Sequence, residues 1–148
     1  MWAVFSPKFG IETGAVALIC AGLFTAEGNN PKNSLKIIFG LIIGIPWGIL
    51  ALRFTPLPGN VSFNQFLILC VLGAIIILIC GFTIIGQFID STSWLCGWAI
   101  SILVLGHETM SNWGVLPFHL ALSMAAGVFI IGVGGVYFND WVKKKTSI

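Results

Sequence analysis

Apolar and polar positions alternate along this chain in blocks rather than in a 3.6- or 2-residue rhythm. A run of apolar residues at Ser93–Leu105 stops at the polar island Gly106-His107-Glu108-Thr109-Met110-Ser111-Asn112-Trp113-Gly114, and a longer run, Val115–Tyr137, follows. The first half repeats the pattern: Thr13–Ala26, then Glu27-Gly28-Asn29-Asn30-Pro31-Lys32-Asn33, then Leu35–Leu52. As helices, Thr13–Ala26 and Ser93–Leu105 would reach only about 20 Å, short of a hydrocarbon core of about 30 Å. Leu35–Leu52 just spans, Phe66–Ile85 spans fully, and Val115–Tyr137 must tilt or begin as non-helical chain, for which Pro117 is suited. The pattern therefore predicts an all-α protein of five hydrophobic segments, two of them short helices that end at an acidic break.

Finer signals punctuate these segments. Glu12 and Thr13 suit a helix start, and Glu27 to Pro31 is a sequence of breakers. Gly40, Gly44 and Gly48 recur every fourth residue, baring one helix face for close backbone contact, with Leu41 off that face. Pro46 on the same segment predicts a kink. Arg53–Asn60 reads as an aqueous loop, and Asp90 or Ser91 as the cap of segment four. Trp94 and Trp98, one turn apart, place the start of that segment at a headgroup layer or in a protein cavity. Asn139-Asp140-Trp141 and Lys143-Lys144-Lys145 read as an interfacial anchor and a basic tail.

Composition changes the picture by fixing the solvent. Hydrophobic residues make up 57% of the chain and charged residues 8%, against about 25% charged in soluble domains. The expectation is one integral membrane domain over residues 1–148, with the lipid bilayer as its first partner. Seven basic residues, scattered apart from the tail, give no nucleic-acid surface. Cys20, Cys70, Cys80 and Cys96 lie in apolar runs without CxxC spacing, which favours packing over metal or disulfide roles. No cofactor, metal site or catalytic group is predicted: Ser101 and Ser123 lack a Ser/His/Asp spacing and read as small helix-contact residues.

Lysine placement sets an orientation. Lys143, Lys144 and Lys145 assign the C-terminus to the cytoplasm, which puts Lys32 and Lys36 inside as well and leaves Lys8 and Arg53 outside. Segments one and four then run in opposite directions, as in an inverted-topology repeat with broken helices. Repeat one covers residues 1–53 and repeat two 66–142. Repeat two opens with a full spanning helix, and the expectation for repeat one is either a sequence shortened at its start or the loss of that helix.

Gly14 through Cys20 to Phe24, the Gly/Pro break, Leu35–Leu50, and Trp113 through Leu116-Pro117 to Gly127 together carry a resemblance. On these positions the chain resembles the YcdZ-like family of small bacterial inner-membrane proteins. The resemblance implies a bacterial inner-membrane location and a transport role, with no catalytic residues to carry over.

The expected function is a small-solute channel or permease with a central site between the two broken helices. Its candidate residues are Glu27, Asn29, Asn30, Trp98, His107, Glu108, Asn112, Phe118 and His119. Intramembrane carboxylates are costly unless paired or wetted, and Asn amides supply neutral hydrogen bonds to a solute. Each has a plainer reading beside it. Glu27 and Glu108 could be solvated turn residues, and His119 a hydrogen-bonded packing histidine. His107 and Glu108, about 100° apart on a helix, cannot simply converge on one ion. The alternative function is a non-catalytic structural or regulatory membrane subunit whose glycine faces pack against a partner. Large glycine faces on so small a chain also lead us to expect a homo-oligomer.

Overall fold

The structure, a computed structural model, describes residues 12–55, 61–108, 110 and 113–146. Every regular element among them is helical. A 3₁₀ turn (Glu12–Ala15) leads into α1 (Val16–Ala26). A second 3₁₀ turn (Pro31–Asn33) leads into α2 (Ser34–Phe54), and α3 (Val61–Phe82), α4 (Ile85–Phe88) and α5 (Ser91–Leu105) follow. Then α6 (Leu116–Ala126), the π-helical segment Gly127–Val133 and α7 (Gly134–Thr146) form one continuous rod.

Three stretches are long and apolar enough to cross a membrane: Pro31–Phe54, Ser62–Phe82 and Leu116–Thr146. The two shorter apolar helices are Thr13–Ala26 and Ser91–Leu105. α3 shows which solvent this surface suits, because only 11% of its most apolar window is covered by protein. Phe63, Phe66, Leu69, Val71, Ile77, Leu78 and Phe82 all face outward. That much contiguous apolar surface is far beyond what water tolerates on a monomer, and a lipid bilayer covers it without cost. This is the architecture of a membrane protein.

Several boundaries differ from those expected. α3 begins at Val61 rather than Phe66, taking Asn64 and Gln65 into its first turns, and it ends at Phe82. The long last segment does not open as irregular chain. Pro117 sits in the first turn of α6, where its missing N–H is no loss and its fixed φ already suits a helix. The Asn139 to Lys145 anchor and tail are helical, as the closing turns of α7. α2 continues through Pro46.

The chain separates into two compact units: residues 1–38 with 119–148, and residues 39–118. The second unit is organised by a seam between α2 and α5. Gly40 faces Asp90 and Ser93, Gly44 faces Gly97 and Trp98, and Gly48 faces Ser101. A Cβ on Gly40 would lie 2.8 Å from the Asp90 carbonyl oxygen, and one on Gly97 would lie 2.7 Å from the Leu41 Cα. Both helices thus present a small residue every fourth position, and the register stays constant because the helices run parallel. In lipid the hydrophobic effect does little to hold helices together, so this close backbone approach is the main attraction. Leu41, expected off the face, is fully buried, with its backbone against Gly97.

Beside the seam, Ala51, Leu72, Ile76, Trp94 and Trp98 form the buried core of this unit. Trp47 meets Trp94 edge-on with ring centroids 5.5 Å apart, and its indole donates to the Leu72 carbonyl at 3.3 Å. The Asp90 carboxylate caps α5, accepting from the Ser93 N–H and hydroxyl, each at 2.6 Å.

The first unit is built on a second parallel seam, between α1 and the rod of α6 and α7. Thr13 and Ser123 share a buried hydroxyl hydrogen bond of 2.9 Å. Further along, Ala17 faces Gly127 and Phe24 faces Gly132. Cys20, Ala21, Leu120, Met124 and Val128 complete the buried contact.

Candidate functional site

The π-helical segment sets this second seam apart. Its small residues recur at Ser123 and Gly127, four apart, and then at Gly132, five further on. An α-helix would carry Gly132 about 140° around from Gly127, about 100° beyond the next position of the four-residue stripe. The wide turn of Gly127–Val133 absorbs the extra residue and returns Gly132 to the Phe24 ring, where a Cβ would lie 2.7 Å from the ring carbon Cδ1. Such single wide turns recur at functional sites, because they re-aim a helix face and loosen its hydrogen-bond ladder.

Beyond that turn the two helices enclose a groove of about 330 Å³. Ala21, Gly22, Gly132 and Gly135 make its small-residue floor, Ile131 and Val136 its apolar wall, and Thr25, Asn29 and Asn139 its polar rim. Among the described residues, no charged side chain lines it. The Thr25 hydroxyl donates to the Ala21 carbonyl at 3.0 Å, so its oxygen retains lone pairs that can accept.

The chain reaches this rim through a specific stop signal. At the end of α1 the Gly28 N–H bonds the Thr25 carbonyl at 3.1 Å, and the Asn29 N–H bonds the Phe24 carbonyl at 3.3 Å. This is a Schellman motif, and it needs a left-handed residue after the helix. Gly28 supplies that at φ 85°, and Asn29 continues at φ 55°, a region asparagine tolerates better than most residues. The motif satisfies the carbonyls that end α1 and holds Asn29 at the groove. Asn30 is used differently: its side-chain oxygen accepts the Lys32 N–H at 3.0 Å and, with Pro31, starts the next helix.

The remaining sequence-predicted residues are not gathered at this groove. Glu27 is the half-buried cap residue of α1 in the first unit, and Glu108 is exposed in the second. His107 is also exposed, on a segment folded back on α5, where the Trp113 indole and the Glu108 N–H both reach the Leu105 carbonyl. Trp98 is buried among the core residues of the second unit. Phe118 is exposed and His119 half-buried on α6. Asn112 lies outside the described residues.

Thr25, Asn139 and the glycines of the groove were not singled out from sequence as site residues. The signal that could have found them is the five-residue step from Gly127 to Gly132, followed at once by Gly134-Gly135. The indole N–H groups of Trp94 and Trp98 are a further feature invisible to sequence: both are buried and neither has an acceptor among the described residues.

The fold and groove define a class: an all-helical membrane protein with parallel helix pairs and a neutral, small-residue groove in one of them. Its chain matches, over residues 1–142, the family described as "Protein of unknown function (DUF1097)", and it belongs to that family. No curated protein and no solved structure matches it.

Proposed function

We propose that the protein is a channel or permease for a small, neutral, hydrogen-bonding solute, and that the groove rimmed by Thr25, Asn29 and Asn139 is part of its path. The observation that carries this is the composition of the groove. Amide and hydroxyl groups offer both donors and acceptors, glycine and alanine leave room at the backbone, and no formal charge is present to hold an ion. The π turn beside it is the kind of irregularity that transport paths use within otherwise apolar helices.

The finer architecture belongs to the same proposal. Two inverted repeats, with the C-terminus in the cytoplasm, make segments one and five run one way and segments two and four the other. The parallel course of each seam agrees with that. A bacterial inner-membrane location, kinship with the YcdZ-like proteins and a homo-oligomeric state complete the reading. The packing-subunit alternative is weakened at one point, because the Gly40, Gly44, Gly48 face that it would offer a partner is filled by α5 of the same chain.

Proteoliposomes test it. Stopped-flow swelling with urea, glycerol and formamide is expected to exceed that of empty vesicles for at least one solute. Asn29→Ala and Asn139→Ala should each slow that flux about fivefold, the equivalent of one lost hydrogen bond of about 1 kcal/mol. Vesicles no leakier than protein-free controls to all three solutes would leave the packing-subunit reading in its place.

A further inference from the structure

We propose that the C-terminal end of α7 is a binding surface for the headgroups of anionic phospholipids. Helix length gives the depth. Leu116–Thr146 is 31 residues long, roughly 46 Å as helix, whereas the hydrocarbon core takes about 30 Å and the core with both headgroup layers about 40–45 Å. With Leu116 at one edge of the core, about twenty residues use up its thickness, so Tyr137 onward lies in the opposite headgroup layer.

The side chains there match that layer. Tyr137, Phe138 and Trp141 are exposed aromatic residues, and Phe138 stacks on Trp141 with centroids 6.0 Å apart. Lys145 holds its ammonium 5.0 Å from the centre of the Trp141 ring, which fixes a positive charge over the aromatic face. Tyr137, Asp140, Trp141, Lys143 and Lys144 line an open hollow of about 680 Å³. Lys143, Lys144 and Tyr137 bring two ammonium groups and a phenol hydroxyl to this hollow as donors, the chemistry a lipid phosphodiester needs. Asp140 sits in the same hollow and subtracts one charge from the three lysines. The surface therefore discriminates anionic from zwitterionic headgroups by a modest positive balance, and Asp140 tempers it.

Native mass spectrometry of the full chain in detergent tests this with phosphatidylglycerol and phosphatidylcholine of identical acyl chains. Phosphatidylglycerol is expected to be retained preferentially. Lys143→Gln with Lys144→Gln should weaken that retention about thirtyfold, about fivefold per lysine. Asp140→Asn should strengthen it, and Lys32→Gln with Lys36→Gln should leave it unchanged. Equal retention of the two lipids would overturn the proposal. So would an equal loss in the Lys32/Lys36 variant, which would make the effect one of net charge alone. Displacement of the lipid by millimolar inorganic phosphate would show a free-anion site instead.

Discussion

The two seams use the same material to opposite ends. In the second unit, Gly40, Gly44 and Gly48 meet Ser93, Gly97 and Ser101 in strict four-residue register, and the backbones close on each other along the whole contact. In the first unit, Ser123 and Gly127 begin the same register against Thr13 and Ala17, and then one extra residue is absorbed as a π turn before Gly132. Along and beyond that turn a groove lies between the helices. A small residue every fourth position shuts a pair of helices. One interruption of that spacing leaves room between them and brings backbone and amide groups to its edge.

Blocking the closed seam should have the largest effect. Gly44→Leu puts a side chain into the backbone of Gly97 and Trp98, which cannot rotate away. Overpacking against backbone is expected to cost about 3 kcal/mol or more, seen as loss of monodisperse protein in detergent. At the open seam, Gly132→Ala meets the Phe24 side chain rather than backbone, so a smaller cost of about 1–2 kcal/mol is expected. Equal losses for the two variants would remove the distinction between the seams.

This contrast was half legible in the chain. The closed seam could be read in advance because Gly40, Gly44 and Gly48 repeat at a fixed step, and a fixed step survives without knowing the partner helix. Its partner face, Ser93, Gly97 and Ser101, has the same step but mixes serine with glycine, and Ser101 alone was recognised as a contact residue. Leu41 departs from the expectation because a residue beside a glycine row is buried or exposed according to how the partner crosses, which spacing does not state. The groove was legible only in Asn29. Asn139 reaches it beyond an irregular turn, Thr25 borders it only because that turn shapes the facing rod, and periodicity arguments assume the turn is regular. The acidic breaks drew attention because charge is rare in this chain, yet the groove is lined by uncharged groups.

Removing the interruption should convert the open seam into a closed one. Deleting Ile130, an exposed residue of the π segment, leaves Gly127 and Gly132 four apart and lets the rod continue as α-helix. The residues after it keep their present face, because the wide turn had already absorbed the extra residue, and the restored four-residue step lets the rod close on α1 where the groove now lies. The expected result is a folded protein with circular dichroism and elution like the parent, and solute flux reduced to that of empty vesicles. Undiminished flux in a folded deletion variant would separate transport from the groove.

The smallest effect concerns the tryptophans beside the closed seam, and it decides whether that unit also serves the solute. Trp94 and Trp98 are 4% and 6% exposed, and each carries an indole N–H with no acceptor among the described residues. A buried donor without a partner costs about 1–3 kcal/mol, so the ring stabilises the core by its bulk while its N–H opposes burial. Trp98→Phe removes the donor but also some volume, and these changes act in opposite directions. A net stability change within about 1 kcal/mol is expected, measured by thermal unfolding in detergent. Swelling assays on the same variant then carry the distinction. If the closed seam only packs, flux should match the parent. A flux change at unaltered stability would mean that the Trp98 N–H meets solute, and the path would extend beyond the open seam.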